Sequence, residues 1–169
     1  GDYSKMKIGV SQCLLGVCCT YNGKSHPVEV IIKMNEKHQV VPVCPEVLGG
    51  LPIPRDPAEI QSMNPLVVET RYHQDVTKEY VLGAKKALDI FIKNDIHVAL
   101  LKYRSPSCGC DGIYDGTFQH QLIAGQGVFA KMCQEHGIML FHENQIEEFL
   151  KYIGKEDDYG TYFKDSTSI

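Results

Sequence analysis

The sequence predicts an α/β fold: a mostly parallel sheet of about four core strands flanked by helices. Three observations predict it. Short β-branched or apolar runs alternate with longer stretches whose apolar residues recur every three or four positions. Each short run stops at residues that break regular structure. Three of them, Ile8–Cys13, Val40–Glu46 and His97–Gly109, lead into a cysteine at or beyond the strand end. Sheets of this kind hold ligands outside the carboxyl ends of their strands. Cys13, Cys44 and Cys108 are therefore expected at one sheet edge.

Lys5–Ser11 reads as the first strand, followed by Cys13-Leu14-Leu15-Gly16 and an Asn22-Gly23 turn. Pro27–Lys37 reads as a helix with Pro27 at its first position, although its Val-Ile-Ile run is β-prone. Gln39–Cys44 is the second strand, and Pro45 keeps Cys44 extended. Gly49–Pro57 holds too much Gly and Pro for helix or central strand and reads as an ordered loop over one face. Ala58–Thr70 fits a short edge hairpin running to Tyr72–Thr77. Asp75 or Thr77 caps a helix over Lys78–Asn94, whose apolar positions Val81, Leu82, Ala84, Ala87, Leu88, Phe91 and Ile92 share one face. His97–Leu101 is the third strand and Ser105–Thr117 a loop. Val128–His136 is a helix stopped by Gly137, and Ile138–Phe141 is the fourth strand. Asn144 caps a last helix, Gln145–Ile153, ended by Gly154.

The 169 residues fit a single domain with its core over 6–154 and an acidic tail over 155–169. A domain of this size buries about 70% of its unfolded surface, so it needs no metal merely to fold. The chain opens on Gly rather than Met, and Gly1 is expected to stand outside the fold. A formal net charge of −4 argues against a nucleic-acid-coating surface. No apolar run approaches the ~18–20 residues that span a bilayer, and no secretory leader pattern is read. Seven cysteines, an odd number, lack the even framework of a secreted mini-protein and fit a reducing, cytoplasmic compartment.

Those cysteines do not have zinc-site spacing: no pair of C-x-x-C knuckles is present. The contiguous run of a bacterial ferredoxin is also missing. Cys18-Cys19 and Cys108-Gly109-Cys110 are local pairs, and adjacent cysteines rarely chelate one ion well. Free cysteine is also often just a small buried hydrophobe, which suits Cys133 within its helical pattern. Spacing alone leaves a site and buried thiols equally open.

Three segments carry a resemblance: Ser11–Gly16 (SQCLLG), Val41–Pro52 (VPVCPEVLGGLP) and Arg104–Gly109 (RSPSCG). They resemble the signature of the thiouracil desulfidase family. Tyr114–Phe118 (YDGTF) and Asp75-Val76-Thr77 are similar to further family segments, and the likeness runs from Met6 to Phe141. It implies a Rossmann-like α/β fold and a 4Fe-4S cluster held by three cysteines, here Cys13, Cys44 and Cys108. The remaining iron is then free to bind the sulfur of a thiolated pyrimidine. It further implies catalytic roles for Glu46 and Ser105. Where family members often carry a basic residue and an acid, this sequence has Thr20 and Asn22, so its substrate can differ from thiouracil.

The chemistry of the residues agrees. Three protein ligands and one open position make a catalytic metal site, and an open iron is a Lewis acid. Being open to oxygen, it is expected to be lost in aerobic preparation. Glu46, two residues past Cys44, can be aimed into the same cavity as a general base, and Ser105 can relay a proton. Without the motif, Glu46 reads equally as a helix-capping carboxylate and Ser105 more readily as a turn-forming serine before Pro106. Arg55, on the Pro-rich loop, and Arg104 and Ser107, beside Cys108, are candidate substrate contacts, although most arginines are solvated or ion-paired at the surface. His26, His38, His73, His120 and His142 have no ligand spacing and are expected at the surface. Three functions compete: a desulfidase, a cluster- or metal-binding sensor without turnover, and a thiol redox protein using Cys108 and Cys110 or Cys18 and Cys19.

Overall fold

The computed structural model describes residues 6–37, 39–155 and 157–159; the expected strand start at Lys5, His38 and the tail beyond 159 lie outside them. Its centre is a parallel four-stranded sheet of β1 (Ile8–Ser11), β2 (Val40–Val43), β5 (Val98–Leu101) and β8 (Met139–His142), in the order β2-β1-β5-β8. Gly9 pairs with Val41 on one side and Ala99 on the other, and Leu100 pairs with Phe141. β1 and β5 are buried throughout, as expected of strands covered on both faces.

Alternate residues of each strand feed opposite cores. Ile8, Val10, Val98 and Leu100 pack with α1 (Glu29–Glu36) and α5 (Ile146–Ile153). Val43, Ala99 and Leu101 pack with α3 (Thr77–Lys93) and α4 (Val128–Glu135). Gly9 faces α3 so closely that an added Cβ would lie 2.4 Å from the Phe91 ring. The chain leaves β1 for β2 on one side, then returns to place β5 on β1's other side. The loops after β1 and β5 therefore diverge at a switch point, where such sheets open a crevice.

A short helix, α2 (Pro45–Leu48), follows β2 directly and packs on α3. Two glycines permit the contact. A Cβ on Gly83 would lie 1.8 Å from the Pro45 carbonyl oxygen, and one on Gly49 would lie 2.0 Å from that of Glu79. These neighbours are backbone and cannot rotate away. Gly83→Ala is thus expected to push α2 off α3 and cost about 1–3 kcal/mol, the usual range for overpacking. A fall in the denaturant midpoint at unchanged m-value checks this. An unmoved midpoint would show that the helices part freely.

Several elements differ from expectation for identifiable reasons. Pro27 lies outside α1, because Val28 is held extended (φ −119°) and its N–H donates to the Leu14 carbonyl at 2.9 Å. The hairpin of β3 (Ala58–Met63) and β4 (Leu66–Thr70) exists but forms its own antiparallel sheet rather than an edge of the main one. Val76 occupies the N-cap of α3, while Asp75 Oδ1 accepts from the Thr77 N–H at 2.9 Å. The loop after β5 contains a further two-residue strand, β6 (Ile113–Tyr114), paired with β7 (Leu122–Ile123). Asn144 does not cap the last helix. It sits in a 3-10 turn, Glu143–Gln145, whose cap is His142: the ring Nδ1 accepts from the Asn144 N–H at 3.2 Å. His142 is accordingly buried and stacked on Tyr103 at 4.3 Å, whereas His26, His73 and His120 are exposed as expected.

Candidate active site

A cavity of about 330 Å³ opens at the carboxyl ends of β1, β2 and β5, and Cys13, Cys44 and Cys108 all line it. Cys133 does not; it is enclosed among apolar side chains. Each thiol is placed by a local break in the chain. Cys13 lies in a 3-10 turn, Gln12–Leu15, closed by Gly16 at φ +91°. Cys44 is extended (φ −128°) because Pro45 follows it, and Pro45 starts α2 at its first position. Cys108 sits where Ser105 Oγ accepts the N–H groups of Ser107 (3.1 Å) and Cys108 (3.0 Å). Gly109 makes that turn possible, since a Cβ there would lie 2.6 Å from the Ser105 carbonyl oxygen. Ser11 locks the strand ends together by accepting the Lys102 N–H at 2.8 Å.

A fourth thiol joins this wall. Cys19 is buried beside Cys13 and Cys44, and the Cys44 thiol donates to the Cys19 carbonyl at 3.8 Å. Hydrogen bonding with Cys13 pushes the Cys19 thiol up to about 12. Hydrogen bonding with Cys19, and then burial, push the Cys44 thiol up; burial, and then the Glu46 charge, do the same to Cys108. Cys18, its sequence neighbour, is exposed, and Cys110 is buried outside the cavity. All seven cysteines are free. Among the described residues, no group of three or more Cys, His, Asp or Glu side chains forms a ready site for one metal ion.

Glu46 is the second residue of α2 and projects into the same cavity. Its partner is Arg55, from the Pro-rich loop: Nη2 lies 3.4 Å from Glu46 Oε2 and donates to the Cys19 carbonyl at 3.1 Å, while Nη1 donates to the Pro52 carbonyl at 3.2 Å. The Arg55 side chain is only 6% exposed and Glu46 13%, so this is a half-enclosed ion pair and not a surface arginine. The capping role open to Glu46 is not seen: α2 has no side-chain cap. Burial raises the Glu46 carboxyl above the usual carboxylate range, and Arg55 offsets only part of this. Ser107 is fully buried behind Cys108. Its hydroxyl completes no hydrogen bond among the described residues, yet it stands near enough to Glu46 to favour the charged form.

Ser105 forms the turn that its sequence position suggests, but its O–H donates to no acceptor among the described residues, and it lines the cavity. Arg104 lies at the rim, exposed, with φ +71°, and its guanidinium is 5.3 Å from the centre of the Tyr103 ring. The sites of Cys13, Cys44, Cys108, Glu46, Ser105, Arg55 and Arg104 thus converge, with Ser107 one layer behind. Sequence reasoning offers Cys19 only as half of a redox pair with Cys18 and misses Glu59, and both line the cavity; burial separates Cys19 from Cys18, and only the hairpin fold brings Glu59 over the sheet edge.

A solved structure described as [4Fe-4S]-dependent thiouracil desulfidase TudS is 39% identical, with a TM-score of 0.84, over 89% of this chain and 99% of that one. The uncharacterized protein YbbK of Bacillus subtilis (strain 168) is 38% identical over 148 residues, 83% of this chain and 98% of the relative. The 2-thiouracil desulfurase family matches residues 8–145, the span that carries every strand of the sheet and every residue of the cavity. The chain belongs to the 2-thiouracil desulfurase family.

Proposed function

We propose that this chain is a 4Fe-4S-dependent desulfidase that removes sulfur from a thiolated pyrimidine or a similar thioamide-like heterocycle without net redox change. One observation carries the reading: Cys13, Cys44 and Cys108, from loops far apart in sequence, meet in one cavity with a half-buried carboxylate, Glu46. The donor set fits a cluster. Thiolates are the ligands of iron–sulfur centres, and three cysteine side chains line this one cavity. Cys13, Cys44 and Cys108 would hold the cluster, which when bound supplies a Lewis-acidic iron with affinity for sulfur.

The chain's own residues account for the rest. Glu46 accepts a proton from water as the oxygen adds to the thiocarbonyl carbon; the C–S bond breaks, sulfur leaves as hydrogen sulfide, and the ring keeps a carbonyl oxygen. A carboxylate raised by burial is a better base than a solvated one. Arg55 holds Glu46 in place, and the Ser105 O–H donates to the reacting ring. Arg104 orients substrate at the rim, and Ser107 supports Glu46 from behind. The reading includes a reducing, cytoplasmic setting, supported by seven free cysteines. It includes neither nucleic acid nor membrane, and among the described residues no helix is long and apolar enough to cross a bilayer.

Anaerobic reconstitution with iron and sulfide, followed by assay of sulfide release from thiouracil, tests the reading. Release supports it. A cluster without turnover would point to a sensor, and thiol exchange without a cluster to a redox protein. Loading itself is expected to depend on pH. The thiols of Cys44 and Cys108 are raised, so metal must displace their protons and uptake strengthens as pH rises. Iron uptake no greater at alkaline than at neutral pH would exclude these thiols as ligands.

A further inference from the structure

We infer that Glu59 recognises a ring N–H of the substrate and so selects thiocarbonyl heterocycles that carry one. The inference rests on the desulfidase reading above. Glu59 is the second residue of β3, on the hairpin that covers the cavity, and it is only 7% exposed. Its Oε1 accepts two backbone N–H groups, Gly116 at 2.9 Å and Phe118 at 3.1 Å, while Gln61 Nε2 donates to the Gly116 carbonyl at 3.0 Å. The carboxylate is therefore held in one orientation by the chain opposite it. Its other oxygen, Oε2, has no partner among the described residues.

Pinning the turn requires one acceptor oxygen, which a glutamine would supply equally well. A carboxylate adds a second acceptor, one that a donor entering the cavity can reach. Of the two carboxylates in the cavity wall, Glu46 is matched by Arg55, and Lys102 is matched by Glu143 at 2.8 Å outside it. The Glu46 oxygen that Arg55 leaves open is the one proposed to take the water proton, so Glu59 Oε2 is the carboxylate oxygen left for a ring donor arriving from the cavity. An ionised carboxylate only accepts, so its partner must be an N–H or O–H; the thioamide N–H of a thiolated heterocycle is an acidic, strong donor and adjoins the reacting carbon. A rigid strand is a suitable mount for such a contact.

The test compares reconstituted wild type with Glu59→Gln on thiouracil and its N1-methyl and N3-methyl derivatives. The Gln side chain retains an acceptor for the turn, so cluster content and thermal midpoint are expected to match wild type. In wild type, one of the two methylations is expected to lower kcat/KM by roughly 10–10²-fold, the worth of a hydrogen bond to a charged group. In Glu59→Gln, KM for thiouracil rises and that penalty shrinks towards one. Equal turnover of both methyl derivatives by wild type overturns the assignment, as does a penalty that survives in Glu59→Gln. Should the variant not fold, the wild-type series decides: a penalty at one nitrogen only supports it, and none at either overturns it. Failure of wild type to release sulfide from thiouracil would instead sink the desulfidase reading. Glu59 is then judged by calorimetric binding of uracil, which is weaker in Glu59→Gln if the inference holds and unchanged if it does not.

Discussion

Replacing Cys108 by Ser is expected to abolish cluster assembly and, with it, all sulfide release. Serine fits the space, so the change tests chemistry rather than packing: a hard, protonated hydroxyl replaces a soft thiolate ligand. Cys108 is the strongest choice because its surroundings are fixed on every side. Its N–H is held by Ser105, its thiol lies by the Ser11 hydroxyl, and it is only 4% exposed. Iron and acid-labile sulfide per chain, measured after anaerobic reconstitution, report the outcome without reference to activity. Cys133→Ser is the control, since that thiol is equally buried but outside the cavity; it keeps full iron content. Cys19→Ser is the discriminating variant. Cys19 stands beside Cys13 and Cys44, and the proposed ligand set leaves it unused, so its loss should spare the cluster. If Cys19→Ser loses iron while Cys108→Ser keeps it, the ligands are the trio Cys13, Cys19 and Cys44.

The convergence of Cys13, Cys44 and Cys108 could be read from the sequence because strand length and strand ends are local signals. A β-branched run that stops at Pro45, or at the 3-10 turn closed by Gly16, announces both a strand and the sheet edge where it ends. The turn around Ser105 was equally local and formed as its residue types suggest. What escaped depends on contacts between distant segments. Cys18 and Cys19 are chemically alike, and only the loop pinned by the Thr20, Asn22 and Lys24 hydrogen bonds turns one outward and the other in. Arg55 reads from sequence as a substrate contact rather than a partner for Glu46, because nothing nearby in sequence shows that the Cys19 carbonyl and Glu46 await it. His142 followed the same logic: its burial comes from stacking on Tyr103, a residue of another strand's loop. The hairpin that brings Glu59 over the cavity was legible as a hairpin, but its destination was not.

Replacing Glu46 by Gln is expected to lower kcat/KM by a factor on the order of 10²–10⁴, the usual worth of a general base, while leaving the cluster intact. Gln keeps the shape and one acceptor for Arg55 Nη2. Arg55 also retains the Cys19 and Pro52 carbonyls, so the loop it anchors should hold. Those contacts make the variant a test of proton transfer rather than of folding, and matching iron content and thermal midpoint would confirm it. The pH profile supplies a second readout. A base works deprotonated, so wild-type activity rises with pH as Glu46 ionises. Burial raises its carboxyl, which places that rise above the ordinary carboxylate range, and Gln should remove it. Arg55 pulls the other way, so Arg55→Met is expected to move the same limb further up in pH. Normal turnover by Glu46→Gln with an intact cluster would reduce the carboxylate to a partner for Arg55. Water activation would then fall to Ser105, whose O–H also lines the cavity, and Ser105→Ala would become the variant that loses activity.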